Sequence, residues 1–254
     1  MPSFYVSPEN LSADSAFLKG SEARHLRTVL RLEIGDTVNV FDGQGHQFKG
    51  KIASLGTTVQ IHLIEKHKVP EERFQITLGQ ALLKSDKMEF VIQKATELGV
   101  SKIIPFSSSR TIPKGDSPKG TEKTTRWEKI ALAAAKQCGR SSLPEIVPPQ
   151  PLTQLLDGVE ATAVKLILWE RETKNRLRDI LREPAVGTAL RNMPAFQIEK
   201  VVCLIGPEGG FSEEELEETK AAGFIPITLG HRILRAETAT IVFLSLLQHE
   251  LGVL

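Results

Sequence analysis

Two glycine-bearing segments near the carboxyl end of the 254-residue chain hold the side chains best placed to do chemistry. The first runs Val201-Val202-Cys203-Leu204-Ile205-Gly206-Pro207-Glu208-Gly209-Gly210-Phe211-Ser212-Glu213-Glu214-Glu215-Leu216. Its apolar run reads as a buried strand, and its glycines as a turn where backbone groups approach a ligand because no Cβ intervenes. Ser212 and Glu215 have capping-box spacing, and Phe211 can staple onto Leu216, so a helix opens directly after the turn. Ligands of open α/β sheets bind at such carboxyl ends of strands. Three consecutive glutamates, Glu213 to Glu215, would repel a polyphosphate, so a neutral or cationic adenosine ligand is easier to accommodate. An ordinary strand-to-helix turn is the alternative.

The second segment runs Leu229-Gly230-His231-Arg232-Ile233-Leu234-Arg235-Ala236-Glu237-Thr238-Ala239-Thr240. A strand ends, Gly230 turns the chain, and Ile233 and Leu234 stand between Arg232 and Arg235 before a helix begins. Apolar side chains with free backbone groups suit an adenine face and edge. Alternatively, Ile233 and Leu234 are core and the arginines surface. Other chemistries lack their signatures: there is no GxxxxGK[ST] phosphate loop, and Gly43-Gln44-Gly45 sits in a hairpin context. His62 and His67 have neither a nearby cysteine nor an HExxH pattern, so no metal site is expected. Cys138 and Cys203, each within an apolar segment, read as buried free thiols.

The elements that must position these segments follow from periodicity. Residues 1–70 read as a small β-rich unit: a strand at Thr37 to Phe41, a turn at Asp42-Gly43-Gln44-Gly45, and a strand at Val59 to Leu63, with a helix at Ser21 to Leu32. The polar stretch His67 to Arg73, broken by Pro70, reads as a linker. Residues 74–254 then alternate strands and helices, the pattern of an α/β domain with a largely parallel sheet. Strands are expected at Gln75 to Leu83, Lys102 to Phe106, Lys165 to Trp169, Val201 to Ile205 and Ile225 to Leu229. Asp86 with Glu89, and Thr125 with Glu128, read as helix starts; Met88, Val91, Ile92, Ala95 and Leu98 form one apolar stripe, and Trp127, Ile130, Ala131, Ala134 and Cys138 another. The segment Ser107 to Thr125 is long for a connection inside a compact domain, and reads as a disordered or a substrate-binding loop.

Composition bounds the function. The chain is 41% hydrophobic and 25% charged, as globular domains are. The apolar stretch around Ile241 to Leu247 is far short of the ~20 residues that cross a bilayer, and the amino terminus lacks a signal-peptide pattern. A cytoplasmic location with no membrane partner is expected. A formal net charge of +1 does not announce nucleic-acid binding, so any RNA contact must come from local clusters.

GPEGGF with S-x-x-E, followed by LG-x-RILR-x-ETA, is similar to the signature pair of the RsmE family, SPOUT-type methyltransferases acting on small-subunit ribosomal RNA. Lys84-Ser85-Asp86-Lys87-Met88-Glu89, Lys94 to Val100 and Gln137-Cys138-Gly139-Arg140 agree with it, and His25, Val29-Leu30-Arg31 and Gly35-Asp36 resemble its PUA-like domain. The resemblance spans nearly the whole chain, departing from the common pattern at His231, where proline is usual, and at Ala236, where a hydroxyl residue is usual. It implies an α/β methyltransferase domain with a deep trefoil knot, preceded by a PUA-like β-barrel. The implied cofactor is S-adenosylmethionine, contacting Leu204, Gly206, Glu208 and Gly209 in the first loop, Leu229, Gly230, Ile233, Leu234 and Arg235 in the second, and Trp169 before them. The implied reaction is methylation of a uridine at N3 in 16S ribosomal RNA within the 30S subunit; a transfer-RNA methyltransferase and a non-catalytic assembly factor are the rival readings.

Arg24, Arg27 and Arg31 recur at helical spacing and can present guanidinium groups to an RNA backbone. Arg110, Lys114, Lys119, Lys123, Arg126 and Arg140 make a second basic set, expected in the catalytic domain. A uridine imide nitrogen carries a proton at neutral pH, so a base must remove it. Glu208 and Glu237 are the candidate bases, and Arg235 is placed to stabilise charge on the uracil oxygens. The last helix, with Ile241, Val242, Phe243, Leu244, Leu246, Leu247 and Leu251, is apolar on more than one face, which with the resemblance implies a homodimer.

Overall fold

The structure, a computed structural model, describes residues 1–68, 74–111, 120–182 and 200–254. Residues 69–73 of the expected linker lie outside the described residues, as do residues 112–119, which include Lys114 and Lys119. The chain divides into two compact units, residues 1–71 with 132–143, and residues 72–131 with 144–254.

In the first unit, β1 (Ser3–Tyr5), β2 (Ser15–Leu18), α1 (Gly20–Arg24), β3 (Thr37–Phe41), β4 (His46–Ser54) and β5 (Val59–Lys68) follow in order. The sheet runs β1-β3-β4-β5-β2. Only the β1–β3 pairing is parallel. Period-two alternation sends Val38 and Val40 of β3 inward against Phe4, Leu18, Ile52 and Ile61. The Asp42 carboxylate fastens the β3–β4 turn, accepting from the Gln44 and His46 amides at 2.7 and 3.1 Å. Register shifts at Lys49/Gly50 and Ile52/Ser54 bend the β4–β5 pair, as bulges do.

The helix expected from Ser21 to Leu32 breaks after α1 into a π turn over His25–Val29, closed by the Leu30 amide on the His25 carbonyl at 3.0 Å. Arg31 follows at φ 51°, alone in that region among the described non-glycine residues. A wide turn and a left-handed residue destroy 3.6-residue periodicity, so Arg24, Arg27 and Arg31 do not share one α-helical face. The Arg27 guanidinium donates to the Gly56 carbonyl at 2.6 Å.

Residues 132–143 join this unit through specific bonds. The Lys136 ammonium donates to both Glu22 carboxylate oxygens, at 2.7 and 2.9 Å, and lies 5.8 Å from the Phe4 ring centroid. Amides of Gly45 and Leu143 donate to Ser141 and Gly43 carbonyls. Arg140, expected in the catalytic domain, therefore lies in the first unit.

The second unit contains β6 (Gln75–Ala81), α2 (Ser85–Glu97), β7 (Lys102–Ser107), α3 (Gly120–Cys138, to residue 131), β8 (Glu145–Ile146), β9 (Gln150–Pro151), α4 (Leu152–Asp157), β10 (Val164–Leu168), α5 (Leu177–Arg182), β11 (Lys200–Ile205), α6 (Glu213–Ala221), β12 (Ile225–Ile227) and α7 (Ala236–Glu250). The sheet order is β12-β10-β11-β6-β7-β8, with β9 also on β7. All these pairings are parallel. Such sheets bury both faces, and β11 shows it: Val201, Cys203 and Ile205 enter one apolar cluster, Val202 and Leu204 the other. Burial pushes the Cys203 thiol pKa up, leaving it neutral and inert. Cys138 is exposed, contrary to the expected burial.

The apolar stripes of α2 and α3 hold, with Met88, Val91, Ile92, Ala95, Trp127 and Ala131 all buried, but their starts differ from expectation. Lys84 caps α2 without a side-chain bond. α3 has already begun at Gly120, and the Thr125 hydroxyl bonds back to the Thr121 carbonyl at 3.0 Å. A threonine three residues before a glutamate also occurs inside helices, satisfying its hydroxyl on the preceding turn.

On α7, Phe243, Leu244 and Leu247 are fully buried in the core of their own unit. Its Thr240 hydroxyl donates to Gln80 Oε1 at 2.8 Å, and Gln80 Nε2 reaches the Ile205 carbonyl at 3.5 Å. The face left for another partner carries Leu246, 42% exposed, and the half-buried Ile241 and Val242. Urea denaturation should show Leu247→Ala losing about 2–5 kcal/mol through a core cavity, while Leu246→Ala changes stability by about 0.5 kcal/mol or less.

Candidate functional site

Parallel pairing places the carboxyl ends of β6, β10, β11 and β12 along one edge. The residues that follow them enclose a cavity of about 1130 Å³. Three loops wall it, after β11 (residues 206–211), after β10 (169–176) and after β12 (228–235), joined by Lys87 of α2, Leu177 and Arg178 of α5, and Ala236, Ala239, Leu246 and Glu250 of α7. Of the expected cofactor residues, Trp169, Gly206, Glu208, Gly209, Leu229, Gly230, Ile233, Leu234 and Arg235 all line this cavity. Leu204 does not: strand alternation turns its side chain into the core cluster on the opposite face of β11.

The loop after β11 is shaped by the elements on either side. Ser212 and Glu215 form the expected capping box, Ser212 Oγ accepting the Glu215 amide at 3.2 Å and Glu215 Oε2 the Ser212 amide at 2.9 Å. Glu215 Oε1 also accepts the Ser109 amide at 2.6 Å. Phe211 and Leu216 are buried in one cluster, and Phe211 stacks on Phe106 with ring centroids 6.1 Å apart. Gly210 has φ +68°, and a Cβ there would sit 2.6 Å from Glu170 Oε1. Arg110, expected to contact RNA, supports this loop by donating to the Gly209 carbonyl at 2.9 Å.

The loop after β10 is the wall that sequence reading reached only at Trp169. Because β10 lies between β11 and β12, the two glycine-bearing loops are not on adjacent strands, and this third loop fills the gap with Glu170, Glu172, Thr173 and Arg176. Glu172 folds it, accepting amides of Thr173, Lys174 and Asn175 at 2.9, 2.8 and 3.2 Å. The Lys174 amide, helped by those of Asn175 and Thr173, outweighs burial and holds the Glu172 carboxyl below its ordinary 4.5. Asn175 ties the loop to β12, its carbonyl accepting the Thr228 amide at 2.8 Å. Between a strand and a helix, Glu170-Arg171-Glu172-Thr173-Lys174-Asn175 was the available signal, a polar run with local capping groups.

After β12, Gly230 turns at φ +109° and its amide donates to the Thr228 hydroxyl at 3.1 Å. Ile233 is 84% exposed at the cavity rim. Among the candidate catalytic residues, Glu208 and Arg235 line the cavity and Glu237 lies just behind it, in the first turn of α7. Lys87 Nζ is 3.1 Å from Glu208 Oε1 and 3.7 Å from Glu237 Oε2. Burial raises the Glu208 pKa, but its backbone hydrogen bond and Lys87 bring it net below the ordinary carboxylate value. The bond to Glu208 in turn raises the Lys87 pKa. The expected RNA-binding arginines fall in both units: Arg24, Arg27, Arg31 and Arg140 in the first, Arg110 and Arg126 in the second. Arg126 pairs with Glu89 at 2.8 Å. Among the described residues no cluster of His, Cys, Asp or Glu could hold a metal ion, and no helix is long and apolar enough to cross a membrane.

A parallel sheet bearing a glycine-lined, mixed-charge cavity at its carboxyl edge defines an α/β enzyme for a nucleoside-type ligand, and comparison with known proteins narrows that class. The RNA methyltransferase domain family matches residues 70–248, and the RNA methyltransferase PUA domain family residues 18–63. Ribosomal RNA small subunit methyltransferase E of Buchnera aphidicola subsp. Schizaphis graminum is 35% identical over 240 residues, 92% of this chain and 90% of that protein. The Bacillus subtilis protein of the same name is 30% identical, over 92% and 89%. The crystal structure of ribosomal RNA small subunit methyltransferase E from Neisseria gonorrhoeae, bound to S-adenosylmethionine, superposes with a TM-score of 0.84 at 32% identity, covering 98% of this chain and 97% of that one. The chain belongs to the ribosomal RNA small subunit methyltransferase E family, with an α/β methyltransferase domain and a PUA-like domain.

Two outcomes test the loop geometry. Gly210→Ala forces a side chain into a left-handed position facing Glu170, and should cost about 1 kcal/mol or more in chemical denaturation. Because Glu172 has a depressed pKa in the folded state, its stabilisation is present above 4.5 and is lost as pH falls through the folded value. The melting temperature of Glu172→Gln should therefore sit below wild type at neutral pH, with the gap closing only in the acid range.

Proposed function

We propose that the cavity binds S-adenosylmethionine and that the enzyme methylates N3 of a uridine in 16S ribosomal RNA. The observation that carries this reading is the cavity itself, where glycine backbone, apolar side chains and carboxylates converge at the carboxyl edge of the sheet. S-adenosylmethionine combines an adenosine with sulfonium, ammonium and carboxylate groups, and the lining matches that mixture. Leu229 and Leu234 offer apolar surface, Gly206, Gly209 and Gly230 open the backbone, and Glu170, Glu172 and Glu208 line the cavity together with Arg176, Arg232 and Arg235. A highly charged polyphosphate would meet those carboxylates unfavourably. The Neisseria relative carries S-adenosylmethionine by its own description, which supports the same ligand here.

When bound, S-adenosylmethionine supplies an electrophilic methyl group. The chain's own task is to orient an extruded uracil, accept its N3 proton and keep water out. N3 forms the central Watson–Crick hydrogen bond, so the target must be unpaired. Glu208, held ionised beside Lys87, is placed to take the proton, with Glu237 behind it. Arg235 supplies positive charge where the uracil oxygens gain electron density. Trp169, Leu229 and Leu234 exclude water. Arg24, Arg31 and Arg140 of the first unit supply phosphate contacts, consistent with a PUA-type RNA domain and with a chain of net charge +1. The reading includes a trefoil knot in the carboxyl-terminal segment, a homodimer across the Leu246 face of α7, and action in the cytoplasm on the assembled 30S subunit.

Calorimetry should show weakened S-adenosylmethionine binding in Gly209→Val and Leu234→Asp with circular dichroism unchanged; wild-type affinity in both would remove the pocket assignment. Nucleoside mass spectrometry of ribosomal RNA from cells lacking the gene should show loss of 3-methyluridine from the small subunit, restored by a plasmid copy. Persistence of that nucleoside, or methylation of transfer RNA instead, would overturn the substrate. Light scattering should give a dimer for wild type and a monomer for Leu246→Glu.

A further inference from the structure

The geometry points to Lys87 as a positioning residue that ties the loops after β11 and β12 to one another and so sets the shape of the cavity. Lys87 sits in the first turn of α2, just past β6, and among the described residues it is the only α2 residue that lines the cavity. Its ammonium reaches two chain segments separated in sequence. One is the loop after β11, through Glu208 Oε1 at 3.1 Å; the other is the start of α7, through Glu237 Oε2 at 3.7 Å. The second distance is outside hydrogen-bond reach, and Glu237 Oε2 is accordingly buried without a hydrogen-bond partner. That oxygen cannot turn to water, so Lys87 is its nearest compensation.

Charge explains why this bridge matters to loop shape. Glu208 and Glu237 are both within 3.7 Å of one ammonium, and without that cation two carboxylates would face each other across a half-buried space, which raises the energy of both. The other charges facing the cluster are Lys84, which acts on Glu208, and Arg235, which repels Lys87. Arg110 holds the same β11 loop through the Gly209 carbonyl, but among the described residues it makes no bond to the β12 side. Lys87 is therefore the group that couples the two loops, and Arg110 supports only one.

The ligand-binding part of this inference rests on the proposed cofactor; the coupling of the loops does not. Hydrogen–deuterium exchange of the full-length, ligand-free protein tests the coupling. In Lys87→Met, amides of residues 206–211 and 230–236 should exchange faster together, by roughly fivefold, the scale of a partly exposed ion pair. Lys87→Arg, which keeps the cation, should return both segments close to wild type. Glu237→Gln should loosen 230–236 and leave 206–211 protected, because the Glu208 bond survives. Calorimetry with S-adenosylmethionine should then show a similar loss of affinity in Lys87→Met, regained in Lys87→Arg. Unchanged exchange in either loop, failure of arginine to restore it, or wild-type cofactor affinity in Lys87→Met would overturn the assignment. If wild type does not bind S-adenosylmethionine, the cofactor reading falls, while the exchange result still decides the bridge.

Discussion

Placement of β11 between β6 and β10 is the constraint on which the catalytic unit depends. The strand pairs with β6 over Lys200 to Ile205 and with β10 over Val201 to Leu204, so its register is held on both sides. A one-residue slip would exchange its two apolar sets and expose each to the wrong layer. It would also move Gly206 to Gly210 relative to the loop after β10, where Glu170 leaves no room for a Cβ on Gly210. Core packing and cavity geometry are thus two readings of the same register.

The polar groups around this frame divide the labour. Gln80 and Thr240, both fully buried, bond to each other and to the end of β11, fixing α7 against the centre of the sheet. Neither lines the cavity. The groups that do are held by backbone amides and by one another, as with Glu172 on three amides and Glu208 on Lys87. Rigidity at the base and satisfied charge at the walls keep a site open without leaving its carboxylates free to collapse onto the nearest cation.

Legibility in the sequence followed the range of the interactions concerned. Strands such as β11 and the capping box at Ser212 were readable because the determining contacts lie within a few residues. The glycine-bearing loops were readable as ligand loops for the same reason, and most of their residues do line the cavity. What escaped depended on partners distant in the chain. The loop after β10 becomes a wall only because β10 is inserted between β11 and β12, a fact of strand order that no local pattern carries. Lys87 is named in the sequence only within a family-like segment, because its partners Glu208 and Glu237 lie far along the chain. The π turn at His25 has no composition of its own, and it moved Arg27 and Arg31 off the face that regular spacing assigns them. Cys138 keeps the spacing of its apolar helical stripe but is the last residue of α3, and it is exposed.

The claim of the first unit on residues 132–143 has a consequence for how this protein can be taken apart. Its sheet is encoded before residue 70, yet the cation that neutralises Glu22 is Lys136, and the β3–β4 turn is bonded to Ser141 and Leu143. A fragment cut at the apparent boundary would keep the strands and lose those partners, leaving a half-buried carboxylate and unpaired turn groups. The small unit is therefore discontinuous in the gene. Exchanging it for that of a relative requires two transplanted segments, and chain shuffling at a single junction would yield a protein with the right strands and an unpaired seam.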